Sequence, residues 1–136
     1  MIKLDLTDIS VGDFAEIEKK MTLDMAKSFA SISEDFNPVH LDEEYAANSR
    51  YKRQIVHGLM PTSLFSGLFG TKLPGEGCFY KSQNIRFKRA IYIGDVVMAR
   101  VVVTHVSTEK KVITFTTRCF VNGKVMIDGE SEIFVP

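Results

Sequence analysis

Asp35 and His40 are the two residues whose types and spacing best suit acid–base chemistry. On a continuous helix, residues five apart point about 140° away from each other, so the pair could not cooperate there. Asn37-Pro38 lies between them, and proline pushes the residue before it out of the α region. The resulting turn can bring a carboxylate and an imidazole together as a proton acceptor and donor with pKa values tuned towards neutrality. The alternative interpretation is that Asp35 caps the turn and His40 is a surface residue.

His57-Gly58 forms a second candidate site, because it opens a mostly apolar helix that ends by Gly70. The free N–H groups and the dipole at a helix N-terminus favour developing negative charge. Gly58 would let a ligand oxygen approach the backbone closely. The simpler alternative is an ordinary glycine in a loop-to-helix turn with His57 as a polar cap. Ser66 lies on the same helix, where a serine usually hydrogen-bonds its own backbone but can also face a ligand.

Other site chemistries find little support in the sequence. Sixteen residues separate His40 from His57, and His105 falls in a predicted strand, so the short paired spacings of zinc ligands are missing. We expect no metal and no bound cofactor. GxSxG, GxGxxG and GxxxxGK[ST] motifs are also missing. Two basic clusters remain, and each is either a solvated face or a site for a phosphate-bearing ligand. They are Arg50, Lys52 and Arg53, and Arg86, Lys88 and Arg89.

Composition indicates one compact domain over residues 1–136, since 45% of the chain is apolar. Seventeen basic residues balance seventeen acidic ones, so no net charge would hold the chain on nucleic acid or on an anionic membrane. No apolar run approaches the roughly 18 residues of a membrane span, and the N-terminus lacks the apolar core of a secretory signal. Cys78 and Cys119 form no CxxC pair and suggest a reducing compartment. These features predict a cytoplasmic protein.

Hydrophobic periodicity predicts helices early in the chain and strands late in it. After a strand-like stretch at 14–21, Thr22 is a plausible N-cap for a helix that cannot run far past Asp35. A short helix at 42–48 and the apolar helix from Gly58 follow. Four long strands rich in Val, Ile, Phe and Thr complete the chain. They are predicted at 78–89, 96–106, 111–121 and 124–135.

The turns between these strands predict an antiparallel sheet. Asn122-Gly123 is a strong signal for a type I′ hairpin, which needs positive φ at both central residues. Gly94-Asp95 is expected to turn the preceding pair of strands, with a turn geometry that the sequence does not define. An antiparallel sheet rolled around one mostly apolar helix is an α+β arrangement. The hotdog fold is the simplest architecture that fits. Its exposed sheet edge and apolar flank predict a homodimer.

Three segments together resemble the R-specific enoyl-CoA hydratases, the hydratase 2 or MaoC-like dehydratase family of hotdog proteins. They are Asp-Phe-Asn-Pro-Val-His-Leu-Asp at 35–42, Ile-Val-His-Gly at 55–58 and Ser-Leu-Phe-Ser-Gly-Leu at 63–68. The resemblance extends from about Val11 to Val135. One departure is Gln54, where many relatives are expected to have proline.

The resemblance implies reversible addition of water to a trans-2-enoyl-CoA, giving an (R)-3-hydroxyacyl-CoA. In such an enzyme Asp35 and His40 would hold the water and transfer the protons in a syn addition. The Gly58 N–H would receive the thioester oxygen, and Ser66 matches the position of a family serine at the site. Coenzyme A would enter only as the carrier of the substrate, and the site would lie near a dimer interface.

Three rival functions fit the same sequence. A hotdog acyl-CoA thioesterase would polarise the thioester for attack at C1 instead of C3. A (3R)-hydroxyacyl dehydratase of fatty-acid synthesis would act on acyl-carrier-protein substrates, which the basic clusters suit equally well. A non-catalytic acyl-CoA sensor would bind the ligand without needing Asp35 or His40.

Overall fold

The computed structural model describes residues 1–136 and contains five strands. The strands are β1 (Phe14–Lys20), β2 (Phe79–Phe87), β3 (Val96–Ser107), β4 (Val112–Val121) and β5 (Lys124–Phe134). They form one sheet in the order β1-β3-β4-β5-β2, in which all neighbours are antiparallel. Burial alternates along β4 as the sequence pattern requires, so one face of the sheet is apolar. The four long strands are confirmed.

The helices follow the local signals in the sequence. They are α1 (Leu23–Ser33), α2 (Pro38–Leu41), α3 (Glu43–Ala47) and α4 (Leu59–Thr71). Thr22 caps α1 by accepting a hydrogen bond from the Met25 N–H at 3.2 Å. Glu34 adopts a left-handed conformation with φ of 61° and ends α1, and Pro38 is the first residue of α2. None of the helices combines the length and the apolarity that a membrane crossing requires.

The apolar face of the sheet curves around α4. The side chains of Phe65, Leu68 and Phe69 on that helix are buried. The centroid of the Phe69 ring lies 4.7 Å from the centroid of the Phe115 ring on β4. This is the predicted hotdog arrangement. The helix still has an exposed side, since Leu59 is 57% exposed and Ser66 also faces outward. The sheet covers one side of the helix and leaves the other open.

The expected pairing of β2 with β3 through Gly94-Asp95 is wrong. β2 lies at the sheet edge beside β5, and β3 lies between β1 and β4. The turn instead docks on the end of β1, where the Met21 N–H donates to the Asp95 carbonyl and the Gly94 N–H donates to the Met21 carbonyl. Residues 88–95 are therefore a crossover segment that carries the chain from one side of the sheet to the other.

This crossover segment also fixes the approach to α4. The Val56 N–H donates to the Ile91 carbonyl at 2.8 Å, and the Ile93 N–H donates to the Gln54 carbonyl at 3.1 Å. An isolated antiparallel bridge joins Ile55 to Tyr92 between these two bonds. Residues 54–56 are thus held as a short extended segment immediately before the helix N-terminus.

The hairpin between β4 and β5 has the predicted turn. Asn122 has a φ of 49° and Gly123 a φ of 76°, so both central residues lie in the left-handed region. The type I′ hairpin is confirmed.

Candidate active site

Asp35 and His40 converge across the break between α1 and α2. Asp35 Oδ2 lies 3.9 Å from His40 Nε2, and the Asp35 side chain is 47% exposed. The other carboxylate oxygen, Oδ1, accepts a hydrogen bond from the Asn37 N–H at 3.1 Å. Asp35 therefore caps the turn with one oxygen and faces His40 with the other. A gap of 3.9 Å is too long for a direct hydrogen bond, but one water oxygen can reach both atoms.

The hydrogen bond to Ile55 defines the protonation of the His40 ring. His40 Nδ1 lies 2.8 Å from the Ile55 carbonyl oxygen, and because a carbonyl only accepts, Nδ1 carries the proton. Nε2, facing Asp35, is then the lone-pair nitrogen. Burial lowers the pKa of His40 below its ordinary 6.5 and nearby His57 lowers it further, while the Ile55 bond and the Asp35 charge oppose them. The ring is thus neutral at neutral pH and offers a proton acceptor.

His57 lies behind this pair. Its ring stacks on that of His40, with centroids 4.0 Å apart and planes inclined by 27°. His57 Nε2–H donates to the Asp35 carbonyl at 2.9 Å, and the side chain is almost fully buried. The sequence suggested a polar cap for α4, but no side chain caps that helix. No sequence pattern around His57 indicates that its side chain contacts a loop 22 positions earlier in the chain.

Gly58 presents its N–H to a cleft. This N–H has no acceptor within the chain, and the residue is exposed at the start of α4. The amide is therefore available to a ligand oxygen, as the sequence predicted for developing negative charge. A Cβ on residue 58 would lie 2.8 Å from Cε1 of Phe87, which is closer than real side chains approach. An alanine here would therefore displace the ring of Phe87, a side chain that is itself exposed.

The cleft has a volume of about 420 Å³ and joins His40 to Gly58. Seven of its thirteen lining residues are hydrophobic, and three cationic side chains also line it, Arg50, Lys88 and Arg89. The complete lining is His40, Arg50, Tyr51, Ile55, Val56, Gly58, Pro61, Phe87, Lys88, Arg89, Ala90, Ile91 and Ile127. An apolar cleft with a few convergent polar groups is typical of a small-molecule site. A depression of similar size beside α3 contains none of the candidate catalytic groups.

Ser66 is exposed on the open side of α4 and does not line this cleft. Its hydroxyl makes no hydrogen bond within the chain, whereas Ser63 donates to the Met60 carbonyl at 2.5 Å in the usual helical manner. The Ser66 hydroxyl is therefore free. Its predicted contact with substrate stays a prediction.

Gln54 supports the same loop. Its side-chain amide donates to the His40 carbonyl at 2.9 Å. A proline at this position could not make that bond. The departure from the expected family residue therefore supplies a hydrogen bond that helps to hold the segment around His40.

Asp35, His40 and His57 each offer a ligand-type atom within 4.8 Å of the other two, a spacing that a metal ion could use. The hydrogen-bond pattern favours acid–base chemistry instead. His57 Nε2 donates its proton to the Asp35 carbonyl. The lone pairs of the two stacked rings lie in separate planes inclined by only 27°. A metal ion needs ligands that converge on one point.

Comparisons with known proteins identify the family and the fold. The family model described as MaoC like domain matches residues 13–124. An (R)-specific enoyl-CoA hydratase of Rhodospirillum rubrum is 42% identical over 129 residues, covering 95% of this chain and 90% of the relative. The structure of an (R)-hydratase from A. caviae involved in PHA biosynthesis superposes with a TM-score of 0.92 at 42% identity, covering 94% of this chain and 98% of the other. R-hydratase PhaJ1 from Pseudomonas aeruginosa gives a TM-score of 0.93 at 36% identity, covering 98% and 86%.

Fold and site together define a hotdog hydro-lyase. The chain belongs to the MaoC-like domain family, as the resemblance in its sequence motifs predicted.

We expect Gly58→Ala to lower kcat/KM by up to about 10²-fold, because the new methyl group and the Phe87 ring cannot keep their places in the cleft. Phe87→Ala combined with Gly58→Ala should recover most of that loss by opening the space. Steady-state kinetics with crotonyl-CoA, an enoyl-CoA of the kind for which the relatives are named, measure both. Phe87→Ala alone is the control. Equal impairment of the single Gly58 variant and the double variant would show that the clash is not the cause.

Proposed function

We propose that this protein catalyses the reversible hydration of a trans-2-enoyl-CoA to an (R)-3-hydroxyacyl-CoA. The observation that carries the proposal is the placement of Asp35 Oδ2 and His40 Nε2 3.9 Å apart, with His40 lining the same cleft as the free Gly58 N–H. Relatives named (R)-specific enoyl-CoA hydratases, 42% identical over nearly the whole chain, support the substrate and the stereochemistry.

In the proposed reaction the Asp35–His40 pair binds the attacking water. The water oxygen bonds to C3 while the C2–C3 π electrons move to the thioester oxygen and form an enolate. The Gly58 N–H donates to that oxygen, and such a preorganised donor typically contributes about 2.7 to 4 kcal/mol. The proton lost by the water is held by the pair and delivered to C2 on the same face, which restores the thioester.

The neutral state of His40 supports this assignment. With Nδ1–H held by the Ile55 carbonyl, only Nε2 is available to accept a proton, and it faces the ionisable group of Asp35. Because one water can reach both Asp35 Oδ2 and His40 Nε2, the pair acts as a unit in taking and returning the proton. Positioned acid–base groups of this kind typically accelerate a reaction about 10²- to 10⁴-fold.

Three basic residues at the cleft support the proposal that the substrate is attached to an anionic carrier such as coenzyme A. Arg50, Lys88 and Arg89 line the cleft, and all three are exposed to solvent at its mouth. Neither Arg50 nor Arg89 has a carboxylate within 4.0 Å, so both can bind phosphate, Arg50 from a position 5.6 Å over the Tyr51 ring. Lys88 Nζ is 4.0 Å from an Asp128 carboxylate oxygen and half exposed.

The other members of the two basic clusters have different surroundings. The Arg53 guanidinium stacks on the Tyr92 ring at 3.9 Å. Arg86 lies opposite Asp128 in the β2–β5 register, beside the outward-facing Arg118. Lys52 is exposed and outside the cleft. Only half of the cationic residues in the clusters therefore belong to the proposed phosphate site.

A homodimer formed through the edge of β2 is part of this proposal. β2 has one neighbour, β5, and most of its residues are exposed on both faces, including Phe79 and Phe87. The opposite edge, β1, instead carries charged residues that discourage pairing. Because Phe87 also lines the cleft, a second copy on this edge would lie next to the site.

We also assign the reaction to the cytoplasm. Cys78 and Cys119 are both unpaired, as a reducing compartment requires. Burial raises the pKa of Cys119 to about 12 and also raises the pKa of Cys78, so both are thiols at neutral pH.

We predict that Asp35→Asn and His40→Gln each lower kcat for crotonyl-CoA hydration by about 10²- to 10⁴-fold while the thermal midpoint of unfolding changes little. Loss of the enoyl absorbance without release of free thiol measures hydration, and free coenzyme A would indicate a thioesterase. In the wild type, protonation of His40 Nε2 removes the acceptor, so kcat/KM should fall only below pH 6.5. Normal turnover in Asp35→Asn and His40→Gln would eliminate the mechanism, whereas acyl-CoA binding with no turnover in the wild type or in either variant would favour a binding protein.

We predict that the double variant Arg50→Gln/Arg89→Gln raises KM for crotonyl-CoA by about 3- to 30-fold, from the loss of two exposed ion pairs, with little change in kcat. Crotonyl-pantetheine, which lacks the nucleotide phosphates, should show no such increase. Lys52→Gln/Arg86→Gln removes the same charge outside the cleft and is the matched control. An equal increase for pantetheine, or in the control, would contradict the phosphate site. Comparing kcat/KM for crotonyl-CoA and crotonyl-acyl-carrier-protein identifies the preferred carrier.

We predict that sedimentation velocity gives a mass of about twice 15.3 kDa for the wild type. Phe79→Glu should shift the protein to monomer, because it would bring two carboxylates together in the interface. Phe14→Glu makes the same change at the β1 edge and should leave the dimer intact. A monomeric wild type, or dissociation by the Phe14 variant, would refute dimerisation through β2.

A further inference from the structure

The geometry points to His57 as a positioning residue that holds Asp35 and His40 in their relative places without touching substrate. This inference rests on the proposed function, because it concerns the same two groups. His57 is 2% exposed and does not line the cleft. Its effect on the reaction must therefore pass through its neighbours.

The first contact anchors the loop that carries Asp35. His57 Nε2–H donates to the Asp35 backbone carbonyl at 2.9 Å. The loop's other hydrogen bonds are local, since the Asp35 N–H donates to Ser33 Oγ and the Asn37 N–H donates to Asp35 Oδ1. Phe36, between them, is largely exposed. The bond from His57 is the loop's one hydrogen bond to a distant part of the chain, so it decides where the carboxylate lies relative to the protein core.

The second contact supports the His40 ring. The two imidazoles are stacked at 4.0 Å, and Phe29 packs against His57 at 5.0 Å. The hydrogen bond from His40 Nδ1–H to the Ile55 carbonyl fixes the rotation of the His40 ring. The His57 ring packs against the face of the His40 ring and prevents it from tilting. With both contacts in place, Nε2 keeps its direction toward Asp35. One buried side chain thus touches both members of the pair.

A purely structural role does not account for an imidazole at this position. His57 Nδ1 is buried and has no hydrogen-bond partner, and an unpaired buried polar atom destabilises the folded state. A phenyl ring would keep the stacking and avoid that cost. What phenylalanine lacks is the Nε2–H that reaches Asp35, so the histidine is explained by its effect on the loop.

Two substitutions separate the two contacts. His57→Phe keeps the aromatic face and removes the N–H donor, and His57→Gln keeps an N–H donor near the place of Nε2 and removes the ring. We expect His57→Phe to lower kcat for crotonyl-CoA by on the order of 10²-fold with KM changed less than about twofold, because the cleft is untouched. His57→Gln should retain a kcat several times higher than that of His57→Phe.

The thermal midpoints of unfolding should rank the His57 variants in a different order from their kcat values. His57→Phe should be about as stable as the wild type, since removal of the unpaired nitrogen offsets loss of the hydrogen bond to Asp35. His57→Gln should be less stable because it loses ring packing. Phe29→Leu is the control, as it disturbs packing beside His57 without altering either contact with the pair. It should lower stability and leave kcat near the wild-type value.

Activity that follows stability across these variants, or a wild-type kcat in His57→Phe, would overturn the inference. If His57→Phe does not fold, His57→Gln and His57→Met decide, because both lack the ring and only glutamine retains the donor. Equal kcat values in that pair would refute the anchoring role. The proposed function is tested separately, because it requires that the wild type hydrates crotonyl-CoA and that Asp35→Asn loses this activity. Failure of the proposed function therefore gives a different result from failure of this inference.

Discussion

Proline at position 38 prevents α1 from continuing, and this constraint brings Asp35 back toward His40. The chain leaves α1 through the left-handed Glu34, and α2 begins four residues later. Without the break, a carboxylate and an imidazole five residues apart would face opposite sides of a helix. Every other feature of the site depends on this reversal, because it is what places Oδ2 and Nε2 within reach of one water.

The loop would still be mobile if it were held only by its own turns. Two longer-range supports meet at the site, and both come from the segment before α4. Ile55, fixed by its bridge to Tyr92, accepts the Nδ1 proton of His40. His57, two residues later, donates to the Asp35 carbonyl. The crossover segment at 88–95 thus links the position of both catalytic candidates to the sheet, and Gly58 begins α4 immediately after these contacts.

The protein has no net charge, but three basic side chains line the cleft. The neutral chain has no long-range field to attract an anion, so recognition of a charged carrier must come from side chains at the cleft. Arg50 and Arg89 stand at its mouth, while burial keeps His40 neutral inside it. An anionic group can therefore bind at the entrance without protonating or competing with the proposed catalytic pair, Asp35 and His40.

The sequence alone was sufficient for features that depend on neighbours along the chain. Thr22 as a cap, the break at Asn37-Pro38, the Asn122-Gly123 hairpin and the alternation along β4 are all set by backbone preferences and by periodicity within one element. The fold class followed from the sum of such elements. Motif resemblance added the family, because the spacing of a few residues is itself a local property.

Tertiary structure alone decided which distant segments meet. It separated β2 from β3, brought His57 to a loop far earlier in the chain, and selected three of the six clustered basic residues for the cleft. It also left Ser66 on the open side of α4. Strand order and cleft lining depend on the path that connecting segments take over the packed core, and hydrophobic periodicity records only whether a residue is buried, not which residue lies against it.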